Sequence, residues 1–130
     1  MKKILIIGLD GLQMNQINDL QSPNLNKFKN SSFSFENHHS TFPTVTRSNA
    51  ASIVTGVNPG THGIVGNTMV FREYNTEIIL PVLYSEMLDV YTRTGEILLV
   101  PSLSEILSDN GLSFMVLNSG TSGNAIIQNT

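Results

Sequence analysis

The chain has no cysteine and no tryptophan, and only 13% of its 130 residues are charged. Without cysteine there is neither a disulfide framework nor a thiolate metal site, so the sequence carries no mark of a redox compartment. Seven basic residues against ten acidic ones give a net charge of −3. The basic residues form no run or stripe, which excludes the electrostatic footprint of a protein that tracks a nucleic-acid polymer. No apolar run approaches the roughly 20 residues that cross a bilayer. The opening "MKKILIIGLDGL" starts like a secretory signal, with lysines ahead of an apolar run. That run stops at Asp10, short of the roughly 7–15 apolar residues such a signal needs. The expectation is a cytoplasmic protein with no membrane segment.

What is present is aliphatic: 40% of the residues are apolar. A chain of this length forms one domain and buries roughly two thirds of its unfolded surface. Residues 3–8 are a continuous β-branched and leucine-rich run, the pattern of a strand buried on both faces of a mainly parallel sheet. Ser22 and Pro23 open a helix that ends near Asn30, with Leu25 and Phe28 as its apolar face. Phe33 and Phe35, alternating with polar residues, predict a short strand. Residues 48–55 form a helix of mostly small apolar side chains, closed by Gly56. Pro59 and Gly60 suit a type II turn.

Residues 68–98 are the least legible and are read as an insertion or variable region. Residues 76–80 have strand character, and Leu83, Met87, Leu88 and Tyr91 have helical spacing. In "PSLSEILSDNG" Ser102 and Glu105 make a capping box, Ile106 and Leu107 face a core, and Gly111 stops the helix. Residues 113–117 predict another buried strand, "NSGTSGN" a turn, and "AIIQNT" the opening of a further element. Alternating strands and helices imply a layered α/β fold, which the chain leaves unfinished.

Each candidate for chemistry has a bland reading beside it. Asp10 sits where a buried strand ends, the side of an α/β sheet on which ligands bind, so it suits a metal-binding carboxylate. Asp-Gly is also an ordinary turn dipeptide. Thr46 stands at or just before a helix start, where free N–H groups and the helix dipole favour phosphate; it also suits a plain N-cap. A threonine hydroxyl is a poor nucleophile at neutral pH unless a metal lowers its pKa, and Asp10 is the residue placed to help hold one.

His38 and His39 are adjacent and point to opposite faces of extended chain, and no H-x-x-x-H or H-E-x-x-H spacing is present. Loop or supporting roles are therefore expected for them and for His62. Neither glycine-rich segment, "GVNPGTHGIVGN" or "NSGTSGN", matches the P-loop or the dinucleotide fingerprint. Asn67 is either an amide donor to a phosphoryl oxygen or part of a glycine-asparagine turn.

In order, "ILIIGLDG", "SPNL", "FPTVTRSNAASIVTG" and "PGTHGIVGN" resemble the type I phosphodiesterase/nucleotide pyrophosphatase family of the alkaline phosphatase superfamily. Phosphonoacetate hydrolase is a close relative within it. The resemblance covers residues 1–67 well, and "VPSLSEIL" through "NSGTSGNA" more loosely. It implies a three-layer α/β/α fold with a mostly parallel sheet, of which residues 1–130 are an incomplete N-terminal part of one catalytic domain. It also implies that Asp10 binds a catalytic metal, that Thr46 is the nucleophile and touches that metal, and that Asn67 holds a non-bridging phosphoryl oxygen. Two divalent ions, expected to be zinc, complete the implied centre, and the substrate is a small phosphoester or phosphonate.

Two departures from the family pattern stand out. Arg47 follows the nucleophile where nucleotide pyrophosphatases tend to have an aromatic residue that stacks on the base. It is either a substrate-binding cation, which favours a small anionic substrate, or a solvated surface arginine. The family's further metal ligands, including an Asp-His pair, have no counterpart in the chain, so it is expected to be inactive alone. The alternatives are carbon–phosphorus bond hydrolysis of the phosphonoacetate type, or a non-catalytic α/β anion-binding module. An unfinished sheet predicts an exposed edge through which copies self-associate.

Overall fold

The structure is a computed structural model, and it describes residues 3–129. Its contacts divide into two compact units, one running to His39 and the other from Ser40 onward.

In the first unit, a 3₁₀ turn at Met14–Gln16 is followed by helix α1 at Pro23–Asn30. Ser22 occupies the N-cap position and proline the first turn, as the sequence predicts. The Ser22 hydroxyl donates to the Gln16 carbonyl rather than capping the helix. The Asn18 carboxamide orders the approach, accepting from the amides of Leu20 at 2.9 Å and Gln21 at 2.8 Å. Lys27 and Lys29 lie in the last turn of α1, where cations complement the helix dipole.

No described residue of this unit is buried. Residues 3–8 form no strand, and Ile4 and Leu5 are 88% and 82% exposed. The expected two-sided burial is therefore absent, because a run of apolar residues encodes the tendency to pair but not the neighbours that supply ladder and cover. Leu25 and Phe28 are exposed for the same reason. Phe33 and Phe35 form no strand; they meet edge to face with ring centroids 5.0 Å apart.

The second unit holds helices α2 (Thr46–Thr55), α3 (Pro59–His62), α4 (Tyr84–Thr94), α5 (Leu103–Asp109) and α6 (Ser122–Gln128). Its sheet is one antiparallel pair, β1 (Thr68–Met69) and β2 (Leu80–Pro81), in register Thr68 to Pro81 and Met69 to Leu80. This short hairpin stands where a mostly parallel sheet is expected. Residues 113–117 also form no strand, and Met115 and Leu117 are exposed.

The core forms where α6 packs against α2 and α4, with Ala51, Val54, Val82, Met87, Val90 and Ile127 buried together. Small side chains on α2 allow that approach, and Gly123 lets the start of α6 lie against the Val82 carbonyl. The helix expected over residues 48–55 starts two residues earlier, and Gly56 closes it in the left-handed region (φ 71°). Pro59 and Gly60 begin a one-turn helix instead of a type II turn, since proline at the first helical position needs no donor.

The helical spacing from Leu83 to Tyr91 becomes α4, with Met87 and Val90 inward and Leu88 and Tyr91 exposed. Tyr74 fastens the preceding loop to α4 by donating to Asp89 at 2.6 Å, while Arg93 reaches the same carboxylate at 3.1 Å and lies over the Tyr74 ring. The Ser102–Glu105 capping box forms as read. Ile106 is half exposed rather than core-facing. Of the "AIIQNT" stretch, residues 125–128 belong to α6 and Asn129 is its C-cap, while Thr130 lies outside the described residues.

Candidate active site

Thr46 is the first residue of α2 and follows an extended Val45 (φ −107°, ψ 149°). The N–H groups of a first helical turn have no carbonyl a turn earlier to bond, and the partial positive charge of the helix is greatest there. No acidic residue lies in the first turn of α2, so its own side chains do not neutralise that end. Thr46 itself is half-buried.

The loop before Thr46 is held from inside the helix by Asn49. Its Oδ1 accepts from the Thr41 amide at 2.9 Å and the Thr41 hydroxyl at 3.2 Å. Its Nδ2 donates to the carbonyls of Pro43 at 3.3 Å and Val45 at 3.0 Å. The Phe42–Pro43 peptide is cis, and the Val45 amide donates to the Pro43 carbonyl at 2.8 Å. Behind this loop, the Thr41 hydroxyl is 3.4 Å from Ser52 Oγ, which is 2.9 Å from His62 Nε2.

His62 is fully buried. The Ile64 amide donates to its Nδ1 at 3.1 Å, which assigns the ring proton to Nε2. Burial pushes the imidazole pKa below its usual 6.5, against smaller opposing contributions from backbone hydrogen bonds at Ser48 and His62. Both ring nitrogens are thus used inside the protein, consistent with a supporting role.

Arg47 is half-buried, and its Nε is buried with no hydrogen-bond partner. It is therefore not a fully solvated arginine. The adjacent Ser48 hydroxyl is also buried without a partner. Asn67 is exposed, and its carbonyl accepts from the Val82 amide at 2.8 Å, fixing the backbone at the entry to β1. Asp10 is exposed and opens a turn that Gly11 completes at φ 77°. Thr46, Arg47 and Asn67 belong to the second unit and Asp10 to the first.

Among the described residues, no three His, Cys, Asp or Glu side chains come together as a metal-binding group. A catalytic zinc takes three protein ligands, and the resemblance assigns only Asp10 and Thr46. The residues present therefore do not make up the two-zinc centre that the resemblance implies. An open groove of about 630 Å³, lined by Tyr91, Glu105, Asp109 and Phe114 among others, includes none of the candidate residues.

The sequence reading assigns no role to Asn49 or Ser52. Their spacing of three places them on one face of α2, and an asparagine inside a helix often bonds nearby backbone. That combination is the signal that would have found them. No helix among the described residues is long and apolar enough to cross a membrane.

The family model described as "Type I phosphodiesterase / nucleotide pyrophosphatase" matches residues 4–81, a span that contains Asp10, Thr46, Arg47 and Asn67. The chain is also 36% identical over 67 residues to a protein of Pongo abelii described as "Bis(5'-adenosyl)-triphosphatase ENPP4". That alignment covers 52% of this chain and 15% of the relative's length. No solved structure matches the chain. With more than half its length matched, the chain belongs to the type I phosphodiesterase/nucleotide pyrophosphatase family, whose fold is of the α/β class.

Proposed function

We propose that this chain carries the nucleophile-bearing part of a metal-dependent phosphodiester or pyrophosphate hydrolase, with Thr46 as the nucleophile. The observation that carries the reading is the position of Thr46: first residue of a helix whose leading turn has no acid, inside the span that matches the family. The Thr46 oxygen would attack phosphorus and form a threonyl-phosphate ester as the leaving oxygen departs. The first amides of α2 and the Asn67 carboxamide would take the non-bridging oxygens, where charge accumulates. Arg47, with its partnerless Nε, would offset the negative charge of the phosphoryl group.

A threonine hydroxyl needs activation, and the two divalent ions expected for the family would supply it. Asp10 and Thr46 fall short of their ligand set, so the chain alone is proposed to be catalytically incomplete, within a larger three-layer α/β/α domain. The relative's printed name points to a P–O–P bond between nucleosides as one substrate class. The Arg47 cation beside the nucleophile favours a second reading, a small phosphonate cleaved at its carbon–phosphorus bond.

A substrate panel in the presence of zinc tests these readings, using a form of the protein that carries the further ligands. Diester or dinucleotide turnover supports the first, phosphate release from phosphonoacetate alone the second. Anion binding that survives Thr46→Ala, with no turnover of either class, would support a non-catalytic module instead.

A further inference from the structure

We infer that Asn49 is the positioning residue for Thr46, holding the loop that delivers the nucleophile; this rests on the reading of Thr46 as nucleophile. The N-cap position of α2 is Val45, which has no side chain able to cap, so the loop is not fixed in the usual way. Asn49 fixes it instead. A carboxamide has two acceptor and two donor positions, and Asn49 uses them on Thr41, Pro43 and Val45, alternate residues of the segment that ends at Thr46. Because the Thr41 amide can only donate and the two carbonyls can only accept, these partners also dictate which way the carboxamide faces.

The clamp is anchored in the core. His62 Nε2 lies 2.9 Å from Ser52 Oγ, Ser52 Oγ lies 3.4 Å from the Thr41 hydroxyl, and the Thr41 hydroxyl donates to Asn49 Oδ1 at 3.2 Å. These contacts run without a break from a buried ring to the loop. A displacement of a reacting group by about 1 Å costs on the order of 10²-fold in rate. Holding three alternate residues ahead of a nucleophile by one rigid amide is a direct way to avoid it.

The test uses the 130-residue chain by NMR, with the Asn49→Ala and Asn49→Asp variants. Asn49→Ala removes every side-chain bond of the clamp, and the Thr41 amide should exchange about fivefold faster or more. Asn49→Asp keeps the acceptor for Thr41 and loses both donors, so it should retain Thr41 protection. In both variants the three-bond couplings about χ1 of Thr46 should move from single-rotamer to averaged values. Exchange of the Met87 amide, bonded within the core to Leu83, should stay as in wild type. Should Asn49→Ala fail to fold, Asn49→Asp alone decides. Unchanged Thr46 couplings in the folded variants would overturn the inference. Released couplings, together with full turnover by Thr46→Ala in an active form, would leave the clamp standing and remove the nucleophile reading.

Discussion

His62 Nε2 lies 2.9 Å from the hydroxyl of Ser52, while the opposite ring nitrogen accepts the Ile64 amide at 3.1 Å. Only a neutral imidazole satisfies both, since a second ring proton would face the amide N–H. Burial accordingly holds the folded-state pKa below 6.5. The folded protein then binds fewer protons than the unfolded chain as pH falls below that value. Stability should be fully present above about pH 6.5 and fall below it, by at most about 1.4 kcal/mol per pH unit. Urea unfolding at about pH 7.5 and about pH 5.5 measures this, and His62→Gln should reduce the difference. An undiminished difference in the variant would assign the pH dependence elsewhere.

Among the described glycines, Gly123 has the closest neighbour to an added Cβ. A Cβ there would overlap the Val82 carbonyl oxygen and stand 2.8 Å from its carbonyl carbon, and backbone cannot swing aside as a side chain can. Gly123→Ala should cost about 2 kcal/mol or more by denaturant midpoint. Gly60→Ala is the control: nothing lies within 4 Å of its added Cβ. Its effect should stay within about 0.5 kcal/mol.

Ile4, Leu5 and Ile7 are 88%, 82% and 69% exposed in one continuous run. Apolar surface of that kind recruits partners, and unpaired strand-forming sequence recruits copies of itself. Sedimentation should show association that rises with concentration, and Leu5→Lys with Ile7→Lys should shift the chain toward monomer. Identical sedimentation of wild type and variant would place the association surface elsewhere.

Local signals were the legible part of the sequence. The Ser22–Pro23 start of α1, the αL stop at Gly56, the Ser102–Glu105 box and the Leu83–Tyr91 spacing are all decided within a turn or two of chain, and all appear. The runs at residues 3–8 and 113–117 depend on distant partners, and they form no strand. Pro59–Gly60 forms a helix start rather than the expected turn because proline serves both equally well. At the site, Thr46 at the head of α2 was visible in its order relative to the small-residue helix. Asn49 was not, because its partners lie in a loop folding back onto the helix; a mid-helix asparagine signals only that some nearby backbone is bonded, not which.

Arg47 and Asn67 should separate by kinetics in an active form. Asn67→Ala removes a donor proposed to bind the charged oxygens, and turnover should fall about 10²–10³-fold. Arg47→Ala should raise KM for small anionic substrates more than for dinucleotides, as loss of a binding cation would. A uniform effect on both substrate classes would mean that Arg47 does not set specificity.

Zinc-dependent hydrolysis of a p-nitrophenyl phosphodiester decides whether Thr46 is a nucleophile in an incomplete metal centre, comparing the 130-residue chain with a form that carries the further metal ligands. The 130-residue chain should show no turnover. In the longer form, Thr46→Ala should lose about 10⁴-fold or more, with partial activity kept by Thr46→Ser. Turnover by the 130-residue chain would contradict the incomplete metal centre, and near wild-type turnover by Thr46→Ala would contradict the nucleophile.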